Sequence, residues 1–173
     1  MDSEKLHTIN NFLAVSGDMA TAGQPTAEEF PLIAAAGFQA IINLAMPDSD
    51  DALDDEAEVV RSLHMRYVHI PVIWEAPSIA DVEKFFAALD KHQGQKIFIH
   101  CSANKRTAVF VFLYRVMKMQ QPCTEAFPDV MKIWTPDARW TNFIEQALDH
   151  YDAQGSASAA RGRKPEAAKF GNH

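Results

Sequence analysis

The sequence predicts an α/β fold, a mostly parallel central sheet flanked by helices on both faces. Short apolar runs of strand length alternate with longer helical patterns, the signature of strands joined by crossover helices. Two of those runs, residues 39–44 and 96–100, are apolar enough to be buried strands. The second runs into a compact polar loop and then an almost wholly apolar stretch, residues 108–117, that reads as a buried helix. In such sheets ligands gather at the carboxyl ends of the strands.

Taken in order, residues 12–15 read as a first short strand. Thr26-Ala27-Glu28-Glu29 has the form of a capping box opening a helix that stops at Gly37, with Pro31 making its start irregular. Residues 39–44 form the next strand, 54–63 a helix and 66–72 a strand. Ser78-Ile79-Ala80-Asp81 caps a helix reaching His92, and residues 96–100 complete the strands. Helices are expected at 106–119, 124–133 and 138–151. One domain, residues 1–152, accommodates all of these. Residues 153–173, rich in Ala, Gly and Ser without apolar periodicity, read as a disordered tail.

Composition narrows the class. At 173 residues and 47% hydrophobic content, the chain is long enough to bury one core. No apolar run reaches the length of a membrane span and no signal-like segment opens the chain, so a cytoplasmic setting is expected. Cys101 and Cys123 are too few for a disulfide framework. Cys123, in Gln120-Gln121-Pro122-Cys123, is expected to pack in a turn, the alternative being a protective disulfide with Cys101 on oxidation. The net charge of −7, from 23 acidic and 16 basic residues, argues against a nucleic-acid partner. The basic clusters in the sequence are Lys105-Arg106 and Arg161-Gly162-Arg163-Lys164.

The most specific segment is Lys96-Ile97-Phe98-Ile99-His100-Cys101-Ser102-Ala103-Asn104-Lys105-Arg106-Thr107. Strand, tight loop and helix in that order gather backbone N–H groups and a helix's positive end beside the Cys101 thiol, an arrangement that binds anions and favours a nucleophilic thiolate. Arg106 adds a planar fork able to hold two oxygens of a phosphate-like group. Thr107 offers a hydroxyl to the sulfur when sulfur leaves. The plainer alternative is a small buried thiol at a strand end.

These residues resemble the cysteine-dependent protein phosphatases of the small dual-specificity-like group, whose signature is His-Cys, five residues, Arg, then Ser or Thr. His100, Cys101, Arg106 and Thr107 match in type, with only Ser102, Ala103, Asn104 and Lys105 between Cys and Arg. One residue fewer removes one amide donor and turns Arg106 by roughly a quarter turn about the helix axis. Asn104 stands where the usual glycine is absent, and asparagine tolerates positive φ in a tight turn. A branch of small bacterial phosphatase-like proteins is similar in carrying the shortened loop. Asn11-Phe12-Leu13-Ala14-Val15-Ser16-Gly17 with Ala22-Gly23-Gln24-Pro25, then Tyr67-Val68-His69-Ile70-Pro71-Val72, and Trp134-Thr135-Pro136-Asp137 with Trp140, Phe143, Gln146 and Leu148 extend the resemblance over residues 10–150. The four-residue gap also resembles rhodanese-type sulfurtransferases, but the acidic Asp-x-Arg strand end of that family is absent after Ile41-Ile42-Asn43-Leu44.

The resemblance implies a dual-specificity-like phosphatase fold. It also implies Cys101 as nucleophile, with Ser102, Ala103, Asn104, Lys105 and Arg106 binding the phosphate. His100 is a supporting hydrogen-bonding residue that orients the loop, and no cofactor or metal is called for; His64 and His69 belong to no metal-type cluster. An acid in the loop after residues 66–72 protonates the leaving oxygen in that family, which points to Glu75, where Trp74 and Pro77 would partly desolvate the carboxyl. Asp48, Asp50 and Asp51 are the other acids expected at that rim, within an acidic run through Glu56 read as a solvated loop and helix start. The expected substrate is a phosphorylated protein or small-molecule phosphomonoester. A sulfurtransferase, or a non-catalytic phosphate-binding pseudophosphatase, is the alternative.

Overall fold

The structure, a computed structural model, describes residues 2–154. A short helix α1 (Asp2–Lys5) and a 3-10 turn (Leu6–Thr8) lead into the hairpin of β1 (Leu13–Ser16) and β2 (Met19–Ala22). Gly17 and Asp18 make its turn, and the Ser16 hydroxyl donates to Asp18 Oδ1 at 2.7 Å. No separate strand signal marks β2, because Met19-Ala20-Thr21-Ala22 is rich in alanine, a weak strand former. Then come α2 (Phe30–Ala35), β3 (Ala40–Asn43), α3 (Glu56–Ser62), β4 (Arg66–His69), α4 (Ile79–Lys91) and β5 (Ile97–His100). Three helices follow: α5 (Lys105–Met117), α6 (Cys123–Ile133) and α7 (Ala138–Ala153).

The sheet order is β1-β2-β5-β3-β4, with β1 alone antiparallel to its neighbour. This is the expected α/β class with helices on both faces. Alternation along β5 and β3 divides the core: Phe98 and Ile41 face Phe30, Ile33 and Val60. Ile97, Ile99 and Ile42 face the helices α4 to α7. In α5 nearly every residue from Arg106 to Val116 is buried, as befits a helix sandwiched between sheet and other helices.

Several boundaries move for local reasons. The helix expected from Thr26 starts at Phe30. Glu29 Oε1 accepts from the Thr26 N–H at 2.9 Å, but the Thr26 side chain makes no cap, and the later start puts Pro31 in the first turn, where it fits. The fourth strand stops at His69 rather than residue 72, just short of Pro71. Helix α7 includes Ala153, so the tail cannot begin there; residues 155–173 lie outside the described part of the chain. Cys123 is the first residue of α6 and buried in the core rather than in a turn.

Candidate active site

His100, ending β5, is in register with Ala22 of β2 and Asn43 of β3, so three strand exits converge on Cys101. Cys101 is 1% exposed. Asn104, just before α5, has φ 67°, the left-handed conformation that asparagine tolerates. Its Nδ2 donates to the Asn11 carbonyl at 2.8 Å and the Thr21 hydroxyl at 3.0 Å, tying the turn to the opening hairpin.

The loop carbonyls are engaged on one side. Cys101 O meets His100 Nδ1 at 3.2 Å, Ser102 O accepts from the Gln24 N–H at 3.0 Å, and Ala103 O accepts from Asn11 Nδ2 at 3.0 Å. A peptide N–H points opposite to its C=O, so the N–H groups of Ser102 and Ala103 turn the other way. The first-turn N–H groups of α5, which have no intrahelical acceptor, add to this nest of donors. Gly23 permits the approach: a Cβ there would lie 2.7 Å from the Ser102 carbonyl oxygen and from Asn10 Nδ2.

Arg106 is buried and reaches back over the loop. Its Nη1 donates to the Val72 carbonyl at 2.8 Å and its Nη2 to Ser102 Oγ at 3.4 Å. The guanidinium therefore lies between the cysteine loop and the segment leaving β4. Thr107 Oγ1 is buried without a hydrogen-bond partner, so it makes no bond to the Cys101 sulfur here. Lys105 is exposed and places Nζ 5.6 Å from the Trp134 ring centroid, leaving its backbone N–H as its contribution to the loop.

Glu56 is the functional residue that the sequence did not single out. Instead of lying in a solvated run it is buried, accepting from Gln24 Nε2 at 2.6 Å through Oε1 and meeting His100 Nε2 at 2.7 Å through Oε2. Burial opposes its ionisation, but hydrogen bonding and charge from His100, with hydrogen bonds from Gln24 and Tyr67, outweigh it and hold the carboxyl below its ordinary value. Burial, then the Glu56 charge, push the Tyr67 phenol well above its ordinary range, so it stays a donor. The available signal was helical spacing: Glu56 and Val60, four apart, share the inward face of α3.

The loop after β4 carries Glu75, which is exposed and faces solvent at the turn. Its anchor is Trp74: the Trp74 carbonyl accepts from Trp140 Nε1 at 3.2 Å, and its ring lies 5.3 Å from both Trp134 and Trp140. Asp48, Asp50 and Asp51 are exposed in the segment after β3. Among the described residues no cluster of three or more His, Cys, Asp and Glu is placed to hold a metal ion.

Residues 15–161 match the family described as "DSP-PTPase phosphatase fused to NAD+ Kinase". The chain belongs to that phosphatase family. This dual-specificity-like phosphatase chain is 33% identical to a Shewanella putrefaciens CN-32 protein of the DUF442 group, described as a candidate phosphatase, with TM-score 0.78 over 86% of this chain and 97% of that one. The core catalytic domain of a PP-IP phosphatase from S. cerevisiae shares the fold at 18% identity, TM-score 0.69, over 84% of this chain and 90% of that one. A "Beta-lactamase hydrolase-like protein" of Xylella fastidiosa (strain Temecula1) is 31% identical over 117 residues, which is 65% of this chain and 25% of the relative. The phosphatase chain thus spans about a quarter of the length of that curated relative.

Proposed function

We propose that the chain hydrolyses phosphomonoesters by covalent catalysis at Cys101. The observation that carries this reading is the position of Arg106: despite the short spacing, its guanidinium lies over the cysteine loop and keeps N–H groups free of any described partner beside the amide nest. The Cys101 thiolate attacks phosphorus and forms an S–P bond as the P–O bond to the leaving group breaks, with Glu75 giving that oxygen its proton. Water then attacks phosphorus, Glu75 takes its proton, and the sulfur departs as thiolate, with the Thr107 hydroxyl available to stabilise it. The loop amides and Arg106 bear the oxyanion charge throughout. The substrate is a phosphorylated protein or a small-molecule phosphomonoester. Asp48, Asp50 and Asp51, on the strand-end side of the sheet, disfavour polyanions and select the less charged ones. A cytoplasmic setting belongs to the same reading; among the described residues no helix is long and apolar enough to cross a membrane.

Replacing Cys101 with Ser is expected to abolish hydrolysis of p-nitrophenyl phosphate while circular dichroism shows the fold intact. Unchanged hydrolysis would rule out the covalent route. Thiosulfate with cyanide is expected to give no thiocyanate; robust production that depends on Cys101 would assign the site to sulfur transfer.

A further inference from the structure

Arg61, His64 and Arg66 lie within six residues of the sequence, and the fold brings Lys91, at the end of α4, beside them. Arg61, His64, Arg66 and Lys91, all exposed, line a groove of about 810 Å³ between the ends of α3 and α4 and the start of β4. No acidic side chain lines it. Arg61, Arg66 and Lys91 form no ion pair among the described residues. The helix C-termini account for Arg61 and Lys91, which complement the dipoles there. They do not account for Arg66, which sits on a strand.

That strand is the sheet's outer one, bonded only to β3. The Arg66 and Ile70 N–H groups donate to β3 and the residue before it, so by alternation the backbone N–H and C=O of Tyr67 and His69 face outward. An unpaired edge beside unpaired cations, in a chain of net charge −7, matches one chemistry.

We propose that this groove docks an extended acidic segment of a partner protein, which adds to β4 as a further strand while its carboxylates meet Arg61, Arg66 and Lys91. A nucleic acid fits less well. It cannot use the outward backbone ladder, finds as its one Phe, Tyr or Trp ring in the groove the half-buried Tyr67, whose hydroxyl is tied inward to Asn43, and is repelled as a long polyanion by the rest of the chain. The groove opens at the start of β4, whereas Cys101 follows the end of the parallel β5, so docking leaves the cysteine loop free and does not depend on its chemistry.

The test is fluorescence anisotropy with a labelled twelve-residue peptide of alternating glutamate and threonine, beside a single-stranded oligonucleotide of equal charge. The peptide should bind, should weaken as salt is raised, and should bind about tenfold or more weakly to the triple variant Arg61→Glu, Arg66→Glu, Lys91→Glu, whose folding is checked by its thermal transition. Methylating the peptide's backbone nitrogens should abolish binding at unchanged charge. The proposal is overturned if the wild type does not bind the peptide, if a folded triple variant binds it equally well, if the methylated peptide binds as tightly, or if the oligonucleotide binds more tightly.

Discussion

Glu56 is the only buried carboxylate among the described residues, and its burial is tolerable only because His100, Gln24 and Tyr67 surround it with donors. Through His100 it reaches the Cys101 carbonyl, so it positions the loop without touching the reacting atoms. Glu56→Ala strands His100 against an empty site and is expected to cost about 3–5 kcal/mol, read as a lowered midpoint in urea unfolding. The pH dependence has a definite sign. The folded-state value lies below the ordinary 4.5, so the ionised carboxylate stabilises the protein fully above about 4.5, and that contribution is lost as pH falls through the lower folded value. As pH falls from about 4.5 through that lower value, the wild-type Tm should drop more steeply than that of Glu56→Gln; parallel slopes there would show that the pair with His100 is not its source. At this scale the sequence was legible where chemistry is local. His100, Cys101, Arg106 and Thr107 announce themselves by spacing, whereas the value of Glu56 comes from partners 44 and 32 residues away.

The segment after β4 shows how one element's position depends on another's side chains. Arg106 of α5 holds the Val72 carbonyl, and Trp140 of α7 holds the Trp74 carbonyl. Glu75 follows immediately and has no described anchor of its own. If Glu75 is the general acid, its loss matters most for poor leaving groups, because an alkoxide must be protonated as it departs while an activated phenolate need not be. Glu75→Gln should therefore slow hydrolysis of an alkyl phosphate far more than that of p-nitrophenyl phosphate, and a uniform effect would make Glu75 a bystander. Trp140→Phe keeps an aromatic ring but leaves the Trp74 carbonyl unpaired, at a cost of about 1–3 kcal/mol. It should reproduce the same leaving-group dependence in weaker form. The sequence puts Trp74 beside Glu75 and Trp134 and Trp140 in the closing segment of the resemblance, but nothing in their spacing reveals that the three rings meet. Ser78, by contrast, caps α4 as its sequence predicts, with its hydroxyl accepting from the Asp81 N–H at 3.1 Å, because that bond is made within one turn.

Across the whole molecule β5 links two apolar layers. Phe98 belongs to the layer with Phe30 and Val60, and Ile97 and Ile99 to the layer with Phe85, Phe110 and Trp140. The alternation of strand and helix patterns in the sequence sufficed for this architecture, since a sheet with both faces covered is the way such strands bury both sides. It did not reveal the alanine-rich β2, which depends on its strand neighbours, or the groove beside β4, which depends on the end of α4 meeting residues 61–66. The same linkage has a thermodynamic consequence. Neither layer can lose its helices without exposing a face of β5, so the two layers should unfold together. Phe30→Ala on one face and Phe110→Ala on the other should each cost about 3–5 kcal/mol, because each empties a fully buried ring site. Followed by far-ultraviolet circular dichroism and by tryptophan fluorescence, each variant should show one coincident transition, even though all three tryptophans lie on or packed against the Phe110 layer. If Phe30→Ala shifted the dichroism transition while leaving the fluorescence transition in place, the layers would be separate folding units and β5 would not couple them.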